Sequence, residues 1–424
     1  MRFLYTIGIV FYAGFLHLAS LGNAKARAFC RGRKAWKTDL LSWRSSETAS
    51  VLWFHCASLG EFEQGRPLIE AVKKQYPACK ILLSFFSPSG YEICENYDKA
   101  DKICYLPLDT RTNAREFVSI IKPSMAFFIK YEYWYNYLIE LKTQRVPTFF
   151  ISAKFRANQY FFKWYAPWFV AQLKNVDCFF VQDETSVKLL HSIGIVSVYC
   201  SGDTRFDRVA QIQNTIISYP WLAQFKGNTP LLVGGSTWSE DEMILSECFA
   251  KHSSQLKYLI APHEIGEAHI KKIQALFASY PCACLSDMEK CQYKEIEKLQ
   301  ILIVDKIGFL SKLYKYGEIA FIGGGFGKGI HNVLEAAVFG MPILFGPQYH
   351  KFTEAVDLVE KKAAFSIKNS TEVSAYLEQW LSSAAACQQA SEASANYVRE
   401  HTGALNCIFQ KLTPYFHSLL FNKL

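Results

Sequence analysis

The chain has no C-x-x-C pair among its thirteen cysteines, and Cys282 and Cys284 stand too close for an ordinary zinc half-site. An odd number of thiols scattered through apolar runs reads as reduced, mostly buried cysteine in a cytosolic compartment. There is no H-E-x-x-H, and His55, His263, His331 and His350 have no ligand spacing between them, so no metal site is expected. There is no G-x-S-x-G, which removes a hydrolase elbow. Internal repeats and low-complexity tracts are missing too. The net charge of +8 is not spread over the body: residues 1–44 carry eight basic side chains against Asp39 alone. A nucleic-acid footprint would cover the folded body, so no nucleic-acid partner is expected. With 50% apolar and 15% aromatic residues the chain is not disordered, and 424 residues exceed one ordinary core, so two domains are expected.

The N-terminus does have apolar length. Residues 3–22, FLYTIGIVFYAGFLHLASLG, carry no Asp, Glu, Lys or Arg and just reach the length that spans a bilayer. The basic cluster behind them obeys the positive-inside rule and would attract anionic lipid. A cleaved signal peptide is the other reading, with Gly22-Asn23-Ala24 as a poor small-residue site. However, the charge follows the run instead of preceding it, and a secreted body would be odd with so many unpaired thiols. The expectation is a retained membrane anchor over residues 1–24. Tyr5, Tyr12 and His17 suit a spanning helix and an interfacial one equally.

The stretch AFIGGGFGKGIHNVLEAAVFGMPILFGPQ, residues 320–348, organises the rest. Its pattern predicts a strand over Ile319–Ile322, a glycine loop over Gly323–Gly329, a helix over Val333–Phe339 and a strand over Ile343–Phe345. Gly340 sits where a left-handed C-cap belongs, and Pro342 blocks continuation. Asn332 with Glu335 has capping-box spacing. A side-chain-free loop before a helix start would aim free N–H groups at an anion. No G-x-G-x-x-G fits the loop, and Gly327-Lys328 is followed by Gly329, not by Ser or Thr. The loop therefore suggests phosphate or sugar, not NAD or ATP–Mg; a tight structural turn is the alternative.

Elsewhere apolar runs without period-2 alternation trade places with helical patterns. Strands are expected at 51–58, 80–86, 103–106, 125–129, 147–151, 178–181 and 196–200, then at 231–234, 258–261 and 301–304. That is the pattern of parallel sheets covered on both faces. Gly202–Val209 and the polar stretch Asn214–Asn228 read as a link, 281–300 as a variable region, Gly308–Lys315 as a helix, and 404–421 as a closing amphipathic helix. Two such halves make a cleft, and ligands collect at the carboxyl ends of the strands.

Those ends pick out the candidate chemistry. Glu61 follows the first strand at a helix mouth, behind Ser58 and Gly60, and could take a proton from a hydroxyl; it could equally serve the helix dipole. Glu132, flanked by Lys130 and Trp134, could bind a polar substrate or merely start a helix. Ser236-Thr237 could donate to a phosphate or cap a helix. Pro262-His263 ends a strand, and Asp203, Arg205 and Asp207 read as a solvated turn.

Together these pieces resemble the 3-deoxy-D-manno-octulosonic acid (Kdo) transferases of lipopolysaccharide assembly. The resemblance runs through the apolar N-terminus with Arg31-Gly32-Arg33-Lys34, then HCASLGE (55–61), YEYWYN (131–136), ISAKFR, GDTRFD (202–207), GGSTWSEDE and GIHNVLEAAVFGMPILFGP. It implies an α/β GT-B fold: two Rossmann-like domains facing a cleft, with an N-terminal membrane-anchoring helix. The implied division is an anchor (1–24), an acceptor domain (25–210), a CMP-sugar domain (226–403) and a helix (404–424) returning to the first domain. It implies inverting, metal-independent transfer from CMP-Kdo to lipid IVA at the cytoplasmic side of the inner membrane, with no cofactor. Glu61 carries over as general base. Pro262, His263, Ile307, Gly308, Phe309, Asn332, Val333, Leu334 and Glu335 carry over as CMP contacts, and Glu132 and Ser58 as acceptor or sugar contacts. Glu335 thus has two readings, cap or ribose acceptor. Two positions depart from the family pattern. His263 stands where Arg is common, and Phe309 where Glu is frequent; Lys328 or backbone donors would then have to serve the phosphate. A transferase using a UDP-sugar and a catalytically silent nucleotide-binding scaffold are the rival readings.

Overall fold

The computed structural model describes residues 1–214, 218–289 and 295–421. It divides into two units, Met1–Arg208 with Thr402–Leu424, and Val209–His401. Each is built on a seven-stranded parallel sheet.

In the first unit the strands are β1 (Val51–Cys56), β2 (Lys80–Phe85), β3 (Lys102–Tyr105), β4 (Pro123–Ile129), β5 (Thr148–Ala153), β6 (Cys178–Val181) and β7 (Val198–Cys200). Their order is β3-β2-β1-β4-β5-β6-β7, with every pairing parallel. The central strand β1 is buried along its whole length, which is why it reads as a continuous apolar run. Its alternate residues feed two cores. Val51 and Trp53 pack with Phe117, Phe128 and Tyr137 on one face. Leu52, Phe54 and Cys56 pack with Phe127 on the other, where Phe54 and Phe127 stack at 4.5 Å. The closing helix Ala404–Phe421 covers that second face with Ile408, Leu412 and Phe416, and Phe416 stacks on Tyr76 at 4.5 Å. Asp207 fixes its start, accepting from the amides of Gly403 (3.0 Å) and Leu405 (3.2 Å).

The second unit holds β8 (Leu231–Thr237), β9 (Lys257–Pro262), β10 (Cys282–Cys284), β11 (Ile301–Ile303), β12 (Ile319–Ile322), β13 (Ile343–Phe345) and β14 (Ala364–Ser366). Their order is β10-β11-β9-β8-β12-β13-β14, again all parallel. In each sheet the order reverses beside the first strand, between β1 and β4 and between β8 and β12. At such a switch point the following loops diverge to opposite faces and leave an open crevice.

Several local expectations need correction. The stretch read as a link contains two helices, Thr204–Gln213 and Pro220–Lys226; residues 215–217 lie outside the described residues. The region 281–300 supplies β10, with 290–294 outside the described residues. The helix expected over 308–315 is one turn, Leu310–Leu313, followed by a 3-10 turn, Tyr314–Tyr316. The helix after the glycine loop is only Leu334–Ala337. Ser236 and Thr237 belong to β8, and the helix Ser239–His252 starts after Trp238.

Phe416→Ala removes a ring packed on Tyr76. It should cost the first unit about 3–5 kcal/mol. Urea unfolding, followed by hydrogen exchange resolved to each unit, should show that loss confined to the first unit.

Candidate active site

The switch point of the first unit carries Glu61 and Glu132. Ser58 caps the helix Leu59–Gln75, which places Glu61 in its first turn. The Ser58 hydroxyl donates to Glu61 Oε2, and the Lys130 ammonium lies 3.8 Å from Oε1. Lys130 follows β4 with φ at +69°, a left-handed conformation that an ordinary side chain adopts only under constraint. Gly90 explains how the Ser58 turn is approached so closely: a Cβ there would stand 2.6 Å from the Phe85 ring and 3.0 Å from the Ser58 carbonyl carbon.

Glu132 ends a buried chain of polar groups. Its Oε2 accepts from Trp134 Nε1 at 2.7 Å and lies 3.2 Å from His55 Nε2. His55 is fully buried; its Nδ1 sits 2.9 Å from Ser84 Oγ, which accepts from Trp53 Nε1 at 2.7 Å. One proton order satisfies every member. Ser84 donates to Nδ1, and Nε2–H and the Trp134 indole both donate to the carboxylate. Both donors then meet Oε2, leaving Oε1 for a ligand in a cavity of about 360 Å³. Ala57, Phe86, Tyr131, Trp134 and Tyr160 line that cavity with Glu132. Aromatic walls around one carboxylate suit a polyhydroxylated ring.

Asp203 and Arg205 are not a solvated turn. Asp203 is buried, bound by Arg205 (2.8 Å) and by the Gln64 amide (2.9 Å). Burial works to raise its pKa, but the Arg205 guanidinium and these hydrogen bonds leave it below the usual carboxylate range. GDTRFD is thereby tied to the helix that carries Glu61.

The second unit's switch point holds the glycine loop, and here the structure revises the reading of free N–H groups. The amides of Gly323, Gly327, Gly329 and His331 are spent on Gly235, Gly324, Gly324 and Gly323 carbonyls. That of Gly324 goes to Asp241 Oδ2 at 2.8 Å. The amides of Gly325, Phe326, Lys328, Asn332 and Val333 have no partner among the described residues. The glycines are needed for backbone contact: a Cβ on Gly325 would stand 2.5 Å from the Gly346 amide, and one on Gly324 2.5 Å from the Gly329 oxygen. The loop is a tight turn first, with part of its rim open to a ligand.

Around it, Trp238, His263 and His331 form a stack. Trp238 and His263 lie at 4.8 Å, His263 and His331 at 4.4 Å, both 24° from parallel. Trp238 Nε1 donates to His331 Nε2 at 3.0 Å, which fixes the His331 proton on Nδ1. Burial, aided by neighbouring His263, lowers His331 to about 4, so the ring is neutral. Pro262 ends β9, and His263 donates its amide to Thr237 O at 2.9 Å. Asn332 Nδ2 donates to Glu335 Oε1 at 3.0 Å, while Asn332 Oδ1 accepts from the Leu334 amide at 3.1 Å. Val333 and Leu334 are buried. Gly308 has φ of +86°, Ile307 is exposed, and Phe309 lies 6.1 Å from the Tyr219 ring.

Residues 32–208 match the family described as "3-Deoxy-D-manno-octulosonic-acid transferase (kdotransferase)". The 3-deoxy-D-manno-octulosonic acid transferase of Aquifex aeolicus is 27% identical over 340 residues, 78% of this chain and 86% of that protein. The one from Haemophilus influenzae is 25% identical over 384 residues, 86% of this chain and 87% of its own. The Kdo transferases are thus the family that this chain resembles over most of its length. Among solved structures, the UDP-GlcNAc 2-epimerase of Neisseria meningitidis bound to UDP-GlcNAc aligns with a TM-score of 0.59 at 15% identity, covering 86% of this chain and 100% of that one. That likeness concerns the fold, and with the two sheets it bears out the GT-B class expected from the resemblance. The motifs that carry the resemblance sit on the two switch points. Sequence reasoning passed over His55, Ser84, Trp238, His331 and Asp241 as site residues. The one available signal was that four of the five lie inside HCASLGE, GGSTWSEDE and GIHNVLEAAVFGMPILFGP.

Asp241 yields a pH prediction. Burial pushes its carboxyl up to about 6, against hydrogen bonds from the Gly324 and Trp238 amides that work the other way, and its Oδ1 has no partner among the described residues. A carboxyl whose folded pKa is raised stabilises fully below its unfolded pKa, and that stability is lost as pH rises through the folded value. The second unit should therefore lose on the order of 3 kcal/mol between about pH 4 and pH 6–7 from this group. Asp241→Asn should remove that slope in denaturant titrations at pH 4, 5, 6 and 7.

Proposed function

We propose that this chain transfers Kdo from CMP-Kdo to a hydroxyl of lipid IVA, with inversion and without a metal, at the cytoplasmic face of the inner membrane. In this reading the acceptor hydroxyl oxygen bonds to the anomeric carbon of Kdo. The carbon–oxygen bond to the CMP phosphate breaks, and CMP leaves with the bonding pair. The hydroxyl proton passes to Glu61.

The match of residues 32–208 to the Kdo transferase model and the likeness to Kdo transferases over most of the chain support Kdo transfer in lipopolysaccharide assembly. The observation that carries the finer reading is the coincidence of the motifs with both switch points. Glu61, with Ser58 and Lys130 on its two oxygens, is set at the end of β1 with its carboxylate oriented before any substrate arrives. The Ser58 hydroxyl would hold its rotamer. Glu132 and the aromatic cavity would receive sugar hydroxyls. In the second unit, Pro262, His263, Ile307, Gly308, Phe309 and the Asn332–Glu335 segment would hold CMP. Glu335, held by the Asn332 side-chain amide, would accept from a ribose hydroxyl. The leaving phosphate is stable as an anion, so fixed donors suffice for it.

Glu61→Gln and Glu61→Ala should lower kcat with CMP-Kdo and lipid IVA by about 10²–10⁴. CMP binding by calorimetry should be unchanged. Equal turnover in the variants would remove the base assignment, and consumption of UDP-sugars alone would remove the donor.

His263 offers an imidazole where the family commonly has a guanidinium. His263→Arg should lower the KM for CMP-Kdo about three- to tenfold through a charge-assisted contact, with little change in kcat. Steady-state kinetics at pH 8 would show the split.

A further inference from the structure

We propose that Ser84 is a positioning residue for Glu132: its hydroxyl selects the tautomer of His55, and through that ring it holds Oε2 of Glu132 and leaves Oε1 to the cavity. The action runs across the sheet, because β1 lies between β2 and β4 and the register sets His55 directly beside Ser84. The kinetic consequence rests on the reading of Glu132 as a contact for acceptor hydroxyls. The tautomer itself does not.

The chain of polar groups admits a second proton order besides the one given above. Trp53 Nε1 can only donate, so it gives its proton to Ser84 Oγ at 2.7 Å in both. In the first order the Ser84 proton goes to His55 Nδ1 at 2.9 Å, and Nε2–H and the Trp134 indole both donate to Glu132 Oε2, at 3.2 and 2.7 Å. In the second the ring is reversed. Nδ1–H turns to the Ser84 carbonyl at 3.1 Å, the hydroxyl turns to Phe54 O at 3.4 Å, and Nε2 accepts from Trp134 Nε1 at 3.0 Å. Each order sets one acceptor against another. In the first it is Nδ1 against a neutral carbonyl, with a hydroxyl proton on the same nitrogen. In the second it is Nε2 against a carboxylate oxygen 3.2 Å away, at a ring that is fully buried. Any arrangement with a proton on Nδ1, the doubly protonated ring included, also sends the hydroxyl to the poorer contact at 3.4 Å. The first order is therefore selected, and the Ser84 hydroxyl is the group that selects it.

Without that hydroxyl the nearest remaining group to Nδ1 is the backbone carbonyl of residue 84, an acceptor, and Nδ1 takes a proton. If the proton comes from Nε2, a lone pair faces Oε2 and the Trp134 indole is drawn off the carboxylate to the ring. If it is a second proton, the ring neutralises the carboxylate that it had only oriented. Both outcomes weaken what Oε1 offers a sugar hydroxyl. Ser84 is fully buried and lines no part of the Glu132 cavity, so its influence on a ligand there passes through His55.

The test labels the ten histidines of the full chain with nitrogen-15 and reads both His55 ring nitrogens by NMR, assigned by their loss in His55→Gln. In the wild type Nε2 should carry the proton and Nδ1 none. Ser84→Ala should place a proton on Nδ1, and Ser84→Thr, which keeps the hydroxyl, should return the wild-type pattern. Ser84→Ala should also raise the KM for lipid IVA about tenfold, with kcat and CMP affinity little changed. Added to Glu132→Gln it should have no further effect. A proton on Nδ1 in the wild type would overturn the proposal, and so would an unchanged KM in a Ser84→Ala protein whose ring has switched. Should circular dichroism show that the alanine variant does not fold, the wild-type nitrogens and the threonine variant decide. Should the wild type consume no CMP-Kdo, the sugar-transfer reading falls, and the same two nitrogens still accept or reject the selection by Ser84.

Discussion

A parallel sheet covered on both faces has only its strand ends open to water, and that constraint governs both units. Side chains along β1 and β8 are consumed by packing on either face. Any polar group that must meet a ligand therefore stands at the carboxyl ends, and the reversal of strand order decides which end is open. Glu61 and Glu132 stand at one such point; the glycine loop, Trp238 and His263 stand at the other. Two polar groups that enter the interior of the first unit are matched by partners: His55 between Ser84 and Glu132, and Asp203 between Arg205 and Gln64.

This constraint also decides what was legible. β1, β4 and β12 were readable because burial on both faces demands an unbroken apolar run, and their bounds lie within a few residues of the pattern. β10 and β14 were not: each is three residues long, at or next to the sheet edge, and its periodicity has no room to show. The helices Thr204–Gln213 and Pro220–Lys226 were hidden by polar composition, because what holds Asp203 and Asp207 in place is contact with Gln64 and with Gly403, residues far away in the chain. The place of Glu61, in the first helical turn after a strand, was legible. The His55–Glu132 pair was not, since a histidine inside an apolar run looks the same whether it fills space or orients a carboxylate. The neighbour across the sheet, Ser84, settles that difference.

The glycine loop shows how one composition serves two ends. Its glycines read as a phosphate cradle, yet most are required because backbone packs on backbone: Gly325 on Gly346, and Gly324 on Gly329. Asp241 takes the Gly324 amide that an anion would otherwise use. A negative group beneath the loop makes it a poorer electrostatic trap than a P-loop and a more exact mould. What the loop offers a ligand is therefore shape and the stacked rings around it more than positive charge.

The two buried carboxylates at the switch points illustrate opposite uses of burial. Glu132 is given two ring donors and keeps one oxygen toward an aromatic cavity, so its charge is oriented outward and available. Asp241 receives two amides on one oxygen and nothing on the other, so burial wins and its carboxyl is pushed up. The first arrangement leaves one oxygen facing a cavity; the second spends stability to hold a turn in shape. Position at a strand end is common to both, and the count and direction of donors separate a carboxylate that faces a cavity from one that braces a turn.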